Sequence, residues 1–214
     1  MNIILSRHGN TFGPNDPVVW AGATNDLPLV EKGFAQAEKF AQALIAQKIR
    51  PSAVYCSPLQ RTAKYAEVII QRLDLLFLPT ADPRIHELDY GEWTGLTQQE
   101  VKARFGETEL KGWDERSEWP QQGHWGGSPE IAITEIKSFV HDLTQKYGED
   151  DTVVVITSNG RLRYFLTLVQ GEWDKRIQDG SFKVKTGNIC KLVSKNSSME
   201  IPYWNADPSA VAQL

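Results

Sequence analysis

The sequence predicts an α/β protein, a three-layer α/β/α sandwich around a mostly parallel central sheet. Three observations carry this expectation. Short apolar runs at 2–6, 53–56 and 152–156 read as buried strands. Segments of helical period separate them, so strands and helices alternate along the chain. The strands pass abruptly into Arg7-His8-Gly9, Ser57-Pro58 and Thr157-Ser158-Asn159-Gly160, placing polar side chains at the strand ends where open α/β sheets bind ligands.

The first strand delivers Arg7 and His8 at its carboxyl end. Residues 31–48 then place Ala37, Phe40, Ala41, Leu44 and Ile45 on one helical face, and Arg50-Pro51 closes the segment. After the strand at 53–56, Ser57 reads as a helix cap with Pro58 in the first turn, ahead of an apolar face that includes Leu59, Ala66, Ile69 and Leu73. Residues 75–78 and 84–88 are extended candidates, and 97–105 a short helix. Over about 106–127 the periodicity is lost and Trp113, Trp119 and Trp125 alternate with charges, glutamines and glycines. Such an irregular excursion is either a lid or a surface loop that packs its aromatics on the domain.

Ser128-Pro129-Glu130 repeats the cap-and-proline signature before an amphipathic helix carrying Ala132, Ile136, Phe139, Val140, Leu143 and Tyr147, stopped at Gly148. The strand at 152–156, with three consecutive valines, leads through Asn159-Gly160 into a helix reaching Leu168. Residues 182–184 and 188–193 are candidate late strands. No repeat, low-complexity tract or linker interrupts 1–214, which reads as a single domain.

At 214 residues, 23% charged and 41% hydrophobic, the chain has ordinary globular composition and enough length for a real core. A net charge of -4 argues against nucleic-acid or anionic-membrane partners. Cys56 and Cys190 are far apart and lack metal-ligand spacing, so each is expected to be a core thiol. Residues 1–5 do not form a secretory signal and no run reaches transmembrane length, so a cytoplasmic location is expected. There the sequon Asn196-Ser197-Ser198 carries no meaning.

Arg7-His8-Gly9 combines a guanidinium, an imidazole and a permissive glycine at a strand end, where a phosphate can meet backbone and side chains together. Alone, the tripeptide reads more readily as a histidine hydrogen-bonded in a tight turn. Two further elements shift that balance. Arg61 stands in the first turn of the second helix, where anions are favoured, and residues 84–95 bring a cluster of acids.

With Arg7-His8-Gly9-Asn10-Thr11, Ser57-Pro58-Leu59-Gln60-Arg61-Thr62 and 87–95 in this order, most of the chain resembles the histidine phosphatase superfamily, the phosphoglycerate mutase-like family. The resemblance implies a phosphoglycerate mutase-like fold and a phosphohistidine intermediate at His8. It implies Arg7 and Arg61 on the phosphoryl oxygens, Asn10 as a neutral donor, and Glu87 as the acid that protonates the leaving oxygen and later the base that activates water. No metal or cofactor is expected, and the partner is a small-molecule phosphate monoester. In an extended segment His86 faces away if Glu87 faces the site. Trp20 and the 25–29 turn are expected at the entrance.

One position departs from the family's pattern: Asn159 stands where a second histidine is common. Loss of one such donor costs about 10²–10³ in rate, roughly 3 kcal/mol. Arg161, Arg163 and His124 are the candidates to replace its charge. The Tyr90–Gly95 segment is more similar to phosphatase branches of the family, so hydrolysis is expected. A mutase that returns the phosphoryl group to a sugar acid, and a catalytically impaired phospholigand-binding protein, remain the alternatives. Neither the substrate nor the oligomeric state is written in these motifs.

Overall fold

The computed structural model describes residues 1–195 and 198–214; Asn196 and Ser197, and with them the sequon, lie outside the described residues. One sheet contains β1 (Asn2–Arg7), β2 (Ala53–Cys56), β3 (Thr80–Ala81), β4 (Thr152–Thr157), β5 (Ile189–Lys195) and β6 (Ser198–Ala206). Its order is β3-β2-β4-β1-β5-β6. The first four strands run parallel, and β5 and β6 add an antiparallel edge. The expected three-layer α/β arrangement is therefore present.

Alternation of side chains along the central strands divides the core in two. Ile4, Val54, Val154 and Ile156 pack beneath α1 (Glu31–Ala46) and α2 (Gln60–Arg72), against Phe40, Leu44, Tyr65 and Ile69. On the opposite face Ile3, Leu5, Val153 and Val155 meet α5 (Pro129–Lys146) through Ile136, Phe139 and Leu143. That second layer also holds α3 (Gln98–Phe105), which begins in a capping box between Thr97 and Glu100, and α4 (Glu107–Arg116). Ser128 caps α5 through the Ile131 amide, as its sequence signature predicts. Cys56 and Cys190 are buried free thiols, and burial pushes the Cys56 thiol up to about 11. Among the described residues, no helix is long and apolar enough to cross a membrane.

Several expectations are corrected. Residues 107–116 are not irregular: α4 forms because Leu110, Gly112 and Trp113 are buried on one side while Lys111 pairs with Glu107 one turn back. Trp113 and Trp125 are buried, and with Trp119 they join Tyr90, Trp93 and Phe105 in one aromatic cluster. Ser57 does not cap α2, which starts at Gln60. Its Oγ bonds Thr62 Oγ1 at 2.8 Å, and Asp26 from a distant loop takes the Gln60 amide at 2.8 Å.

Residues 75–78 form no strand, and Leu76 and Leu78 point to solvent at 99% and 84% exposure. In place of an extended 84–88, Asp82 caps a 3₁₀ turn at Pro83–Ile85. The segment after β4 is a short α-turn, α6 (Asn159–Leu162), followed by a 3₁₀ stretch to Leu168, and α7 (Glu172–Gln178) follows. Residues 182–184 are not a strand, because Val184 gives its amide to Asn159 and its carbonyl to Arg7.

Candidate active site

The parallel register brings three strand ends to one edge. Arg7 lies opposite Thr157 on β4, and Cys56 opposite Ile156, so Arg7-His8, the Ser57–Arg61 turn and Thr157–Asn159 converge. The His8 amide donates to Thr157 O at 3.0 Å. Gly9 sits so close to the start of α1 that a Cβ there would lie 2.6 Å from Gly33 Cα, and a Cβ on Gly33 would meet the Asn10 backbone. Two glycines in backbone contact thus set the depth of the His8 loop. Gln36 of α1 holds the same loop: its Oε1 accepts from the Asn10 amide (2.8 Å) and its Nε2 donates to Thr186 O (2.9 Å). Thr186 Oγ1 donates to Asn10 Oδ1 (2.7 Å), so the side-chain nitrogen Nδ2 of Asn10 is the atom left to donate.

The His8 ring is buried, 7% exposed, and its tautomer follows from its partners. Nδ1 lies 2.8 Å from Gly9 O, a group that only accepts, so Nδ1 carries the proton. Nε2 is left with its lone pair and accepts from Arg61 Nε at 3.2 Å. Burial, then the charges of Arg61 and Arg7, hold the His8 imidazole well below the usual 6.5, which keeps it neutral. Arg61 is itself buried and oriented by backbone carbonyls, with Nη2 to Gly22 O (2.8 Å) and Nη1 to Asn25 O (3.0 Å). Arg7 donates through Nη1 to Val184 O at 2.7 Å, while its buried Nε makes no hydrogen bond among the described residues. A buried donor without a partner costs about 1–3 kcal/mol, and a ligand oxygen would relieve that cost.

Glu87 enters from the segment that Thr157 pins, through Thr157 Oγ1 to Ile85 O at 2.7 Å. Its carboxylate is 7% exposed and accepts three backbone N–H groups: Leu88 and Arg161 on Oε1 (2.9 and 3.0 Å) and Gly160 on Oε2 (3.3 Å). The Tyr90 hydroxyl packs beside it. Burial and the Glu87 charge push that phenol well above 10, so it stays protonated. Gly160 has no room for a side chain, since a Cβ would lie 2.5 Å from Glu87 Oε1 and also strike the Tyr90 hydroxyl. Asn159 takes the Val184 amide on Oδ1 at 3.0 Å, which leaves its nitrogen as the donor.

A cavity of about 510 Å³ collects Arg7, His8, Asn10, Arg61, Glu87 and Asn159, with Trp20 on its outer wall. A larger cavity of about 640 Å³ lies away from all of them, near Met1 and the end of α5. The chemistry of the smaller one suits transfer of a phosphoryl group through an imidazole: a neutral Nε2, two guanidinium groups and a fixed carboxylate line one cavity.

The structure does not bring the other charged candidates to this cavity. The His124 side chain is 90% exposed and pairs with Glu92. Arg161 turns away to His86 O and Glu135. Arg163 is buried behind the cavity, 3.9 Å above the Trp113 ring, with Nη1 on Ser117 Oγ. His86 is half-buried and does not line the cavity. Nothing in the sequence pattern marks Gly33 or Asp114, or Tyr90 as a partner of Glu87, and Gly160 stands out there for its place at a helix start and not for its contact with Glu87.

A family model described as the histidine phosphatase superfamily (branch 1) matches residues 3–207, and the chain belongs to that superfamily. A 2,3-bisphosphoglycerate-dependent phosphoglycerate mutase from Methylobacterium sp. (strain 4-46) is 27% identical over 171 residues, covering 79% of this chain and 80% of that protein. The protein of the same name from Corynebacterium diphtheriae is 33% identical over 114 residues, 52% of this chain; there the match spans 44% of the relative's length. Among solved structures, mycobacterial glucosyl-3-phosphoglycerate phosphatase aligns with a TM-score of 0.80 at 21% identity, covering 96% of this chain and 99% of its own. The α-ribazole phosphatase from Shigella flexneri gives 0.74 at 20% identity, with 96% of each chain covered. At these identities the structural likeness is one of fold.

Proposed function

We propose that this chain hydrolyses a phosphate monoester in two steps through His8. Nε2 attacks phosphorus in line with the ester oxygen, the P–O bond breaks, and Glu87 gives its proton to the departing alkoxide. The proton stays on His8 Nδ1, donated to Gly9 O, and that hydrogen bond stabilises the charged phosphoimidazole. Water then attacks phosphorus, Glu87 takes the water's proton, the P–N bond breaks and phosphate leaves. Arg7 and Arg61 neutralise the nonbridging oxygens. The observation that carries this reading is the His8 tautomer, which turns a neutral Nε2 toward Arg61 within the cavity that Glu87 lines.

A mutase is the second reading, favoured by the name its sequence relatives bear. Hydrolysis is preferred because Arg7 and Arg61 are the only lysine or arginine side chains lining the cavity among the described residues, and this reading assigns both to the phosphoryl group. A sugar acid would also need a cation for its carboxylate. The test is phosphate release from a panel of monoesters, with alkaline quench and peptide mass analysis to find a phosphoryl group on His8. Loss of both release and label in His8→Ala supports the proposal, and undiminished turnover in that variant overturns it. Transfer of the label to added phosphoglycerate faster than to water would select the mutase.

A further inference from the structure

The leaving-group end of the cavity has a chemistry of its own. A volume of about 510 Å³ is that of a site for a whole small molecule, far more than phosphate needs. Besides the groups assigned to phosphoryl transfer, the lining includes Phe12, Val18, Val19 and Trp20, with Gln98 and Asp114 among its further polar members. This strip is tied down. Trp20 exchanges backbone hydrogen bonds with Gly95 (2.8 Å) and Leu96 (2.9 Å), and its indole meets Tyr90 and Trp93 edge-on at 5.3 and 5.2 Å. A flat apolar wall fixed in this way loses little entropy when a ligand lies on it.

Asp114 supplies a carboxylate on the same wall. It reaches the cavity from α4, and its Oδ1 pairs with Lys183 at 2.6 Å. Lys183 lines an adjoining groove and not this cavity, so of the ion pair it is the acid that belongs to the cavity lining. Both side chains are about 40% exposed, so the pair is weak enough for a ligand to share the carboxylate.

From this arrangement, and resting on the hydrolase reading, we infer that the substrate is a phosphate monoester of an uncharged or cationic alcohol with a flat apolar body. Trp20 carries that body, and Asp114 is the specificity-determining residue that accepts a hydroxyl or ammonium hydrogen and repels acids. Three esters of one skeleton test it: phenyl phosphate, 4-carboxyphenyl phosphate and 4-(aminomethyl)phenyl phosphate. The wild type is expected to favour the neutral and cationic esters over the carboxylate by roughly tenfold in kcat/KM, the size of one modest charge contact.

The double exchange Asp114→Lys with Lys183→Asp keeps the ion pair while reversing the sign on the wall, and it should reverse that order. An equal rate on the carboxylate ester in the wild type, or an order unchanged by the exchange, overturns the inference. Binding of the same esters to His8→Ala, read by tryptophan fluorescence, separates the two claims. The same charge order in binding with no turnover by the wild type would remove the hydrolase reading and leave the selectivity standing. No charge order in binding removes the selectivity whatever the turnover.

Discussion

Gly160→Ala tests whether the acid works from the position the fold gives it. The added methyl would lie 2.4 Å from the Tyr90 hydroxyl, 2.5 Å from Glu87 Oε1 and 3.2 Å from its Cδ, against 3.4 Å for the nearest ordinary contact, so both side chains must give way. The carboxylate must therefore retreat by about 0.9 Å, stretching the hydrogen bonds it now accepts from Gly160 (3.3 Å) and Arg161 (3.0 Å). Overpacking of this kind costs about 1–3 kcal/mol of stability, which leaves a folded protein in a domain of ordinary stability. Displacing a catalytic group by about 1 Å costs on the order of 10² in rate. The loss should fall on esters that need an acid. Turnover of an alkyl phosphate is expected to drop about 100-fold, and of 4-nitrophenyl phosphate, whose anion leaves unaided, by much less. A urea unfolding curve run alongside establishes that the variant is folded. Equal losses on the two esters, or alkyl turnover near that of the wild type, would refute the role given to Glu87.

Asn159→His places an imidazole there that, while neutral, can accept the Val184 amide on one ring nitrogen and donate from the other, and turnover should rise by up to about 10²; a fall would mean that the site is built around the amide. The acid limb of kcat/KM should lie well below pH 6.5, because burial and the two arginines keep His8 neutral there, and Arg61→Met should move that limb upward in a pH–rate profile. An unmoved limb would detach Arg61 from the nucleophile. The same shift has a stability consequence. Below about pH 6.5 the unfolded chain takes up a proton at His8 that the folded chain refuses, so this contribution is whole above 6.5 and shrinks as the pH falls toward the folded pKa. Urea unfolding compared between wild type and His8→Gln at pH 7.5 and 5.5 reads it as a difference that narrows on acidification. Gly33→Ala forces a methyl against the Asn10 backbone, and a loss of about 1–3 kcal/mol together with turnover is expected from unfolding and rate measurements.

Arg7, His8, Arg61 and Asn159 were legible because they sit at strand-to-helix junctions, where apolar period gives way to cap and turn residues and topology gathers the ends. What stayed hidden depends on long-range contact. The α4 sequence has few apolar residues, and burial of Trp113 in the aromatic cluster stabilises it more than any local pattern does. The β6 strand contains Pro202, which argues against a central strand and is tolerated because β6 is the sheet's edge. The stretch at 182–184 has strand-like residues, but Arg7 and Asn159 take up the backbone groups a ladder would need. Gly33 offered no sign of its partner, since only the folded chain brings it against Gly9.

That glycine pair divides the molecule by how freely it can vary. The depth of His8 is fixed at a backbone contact where no side chain of any size can be inserted. The outer wall, by contrast, includes Val18 at 68% exposure and the exposed turn before it, where substitutions disturb little packing. Under the proposed hydrolase reading, descendants of this chain can exchange one alcohol for another by drift along residues 12–20 and at Asp114 of α4, while the phosphoryl chemistry passes on unaltered. On that reading the reaction and the choice of substrate are separately heritable traits of one chain.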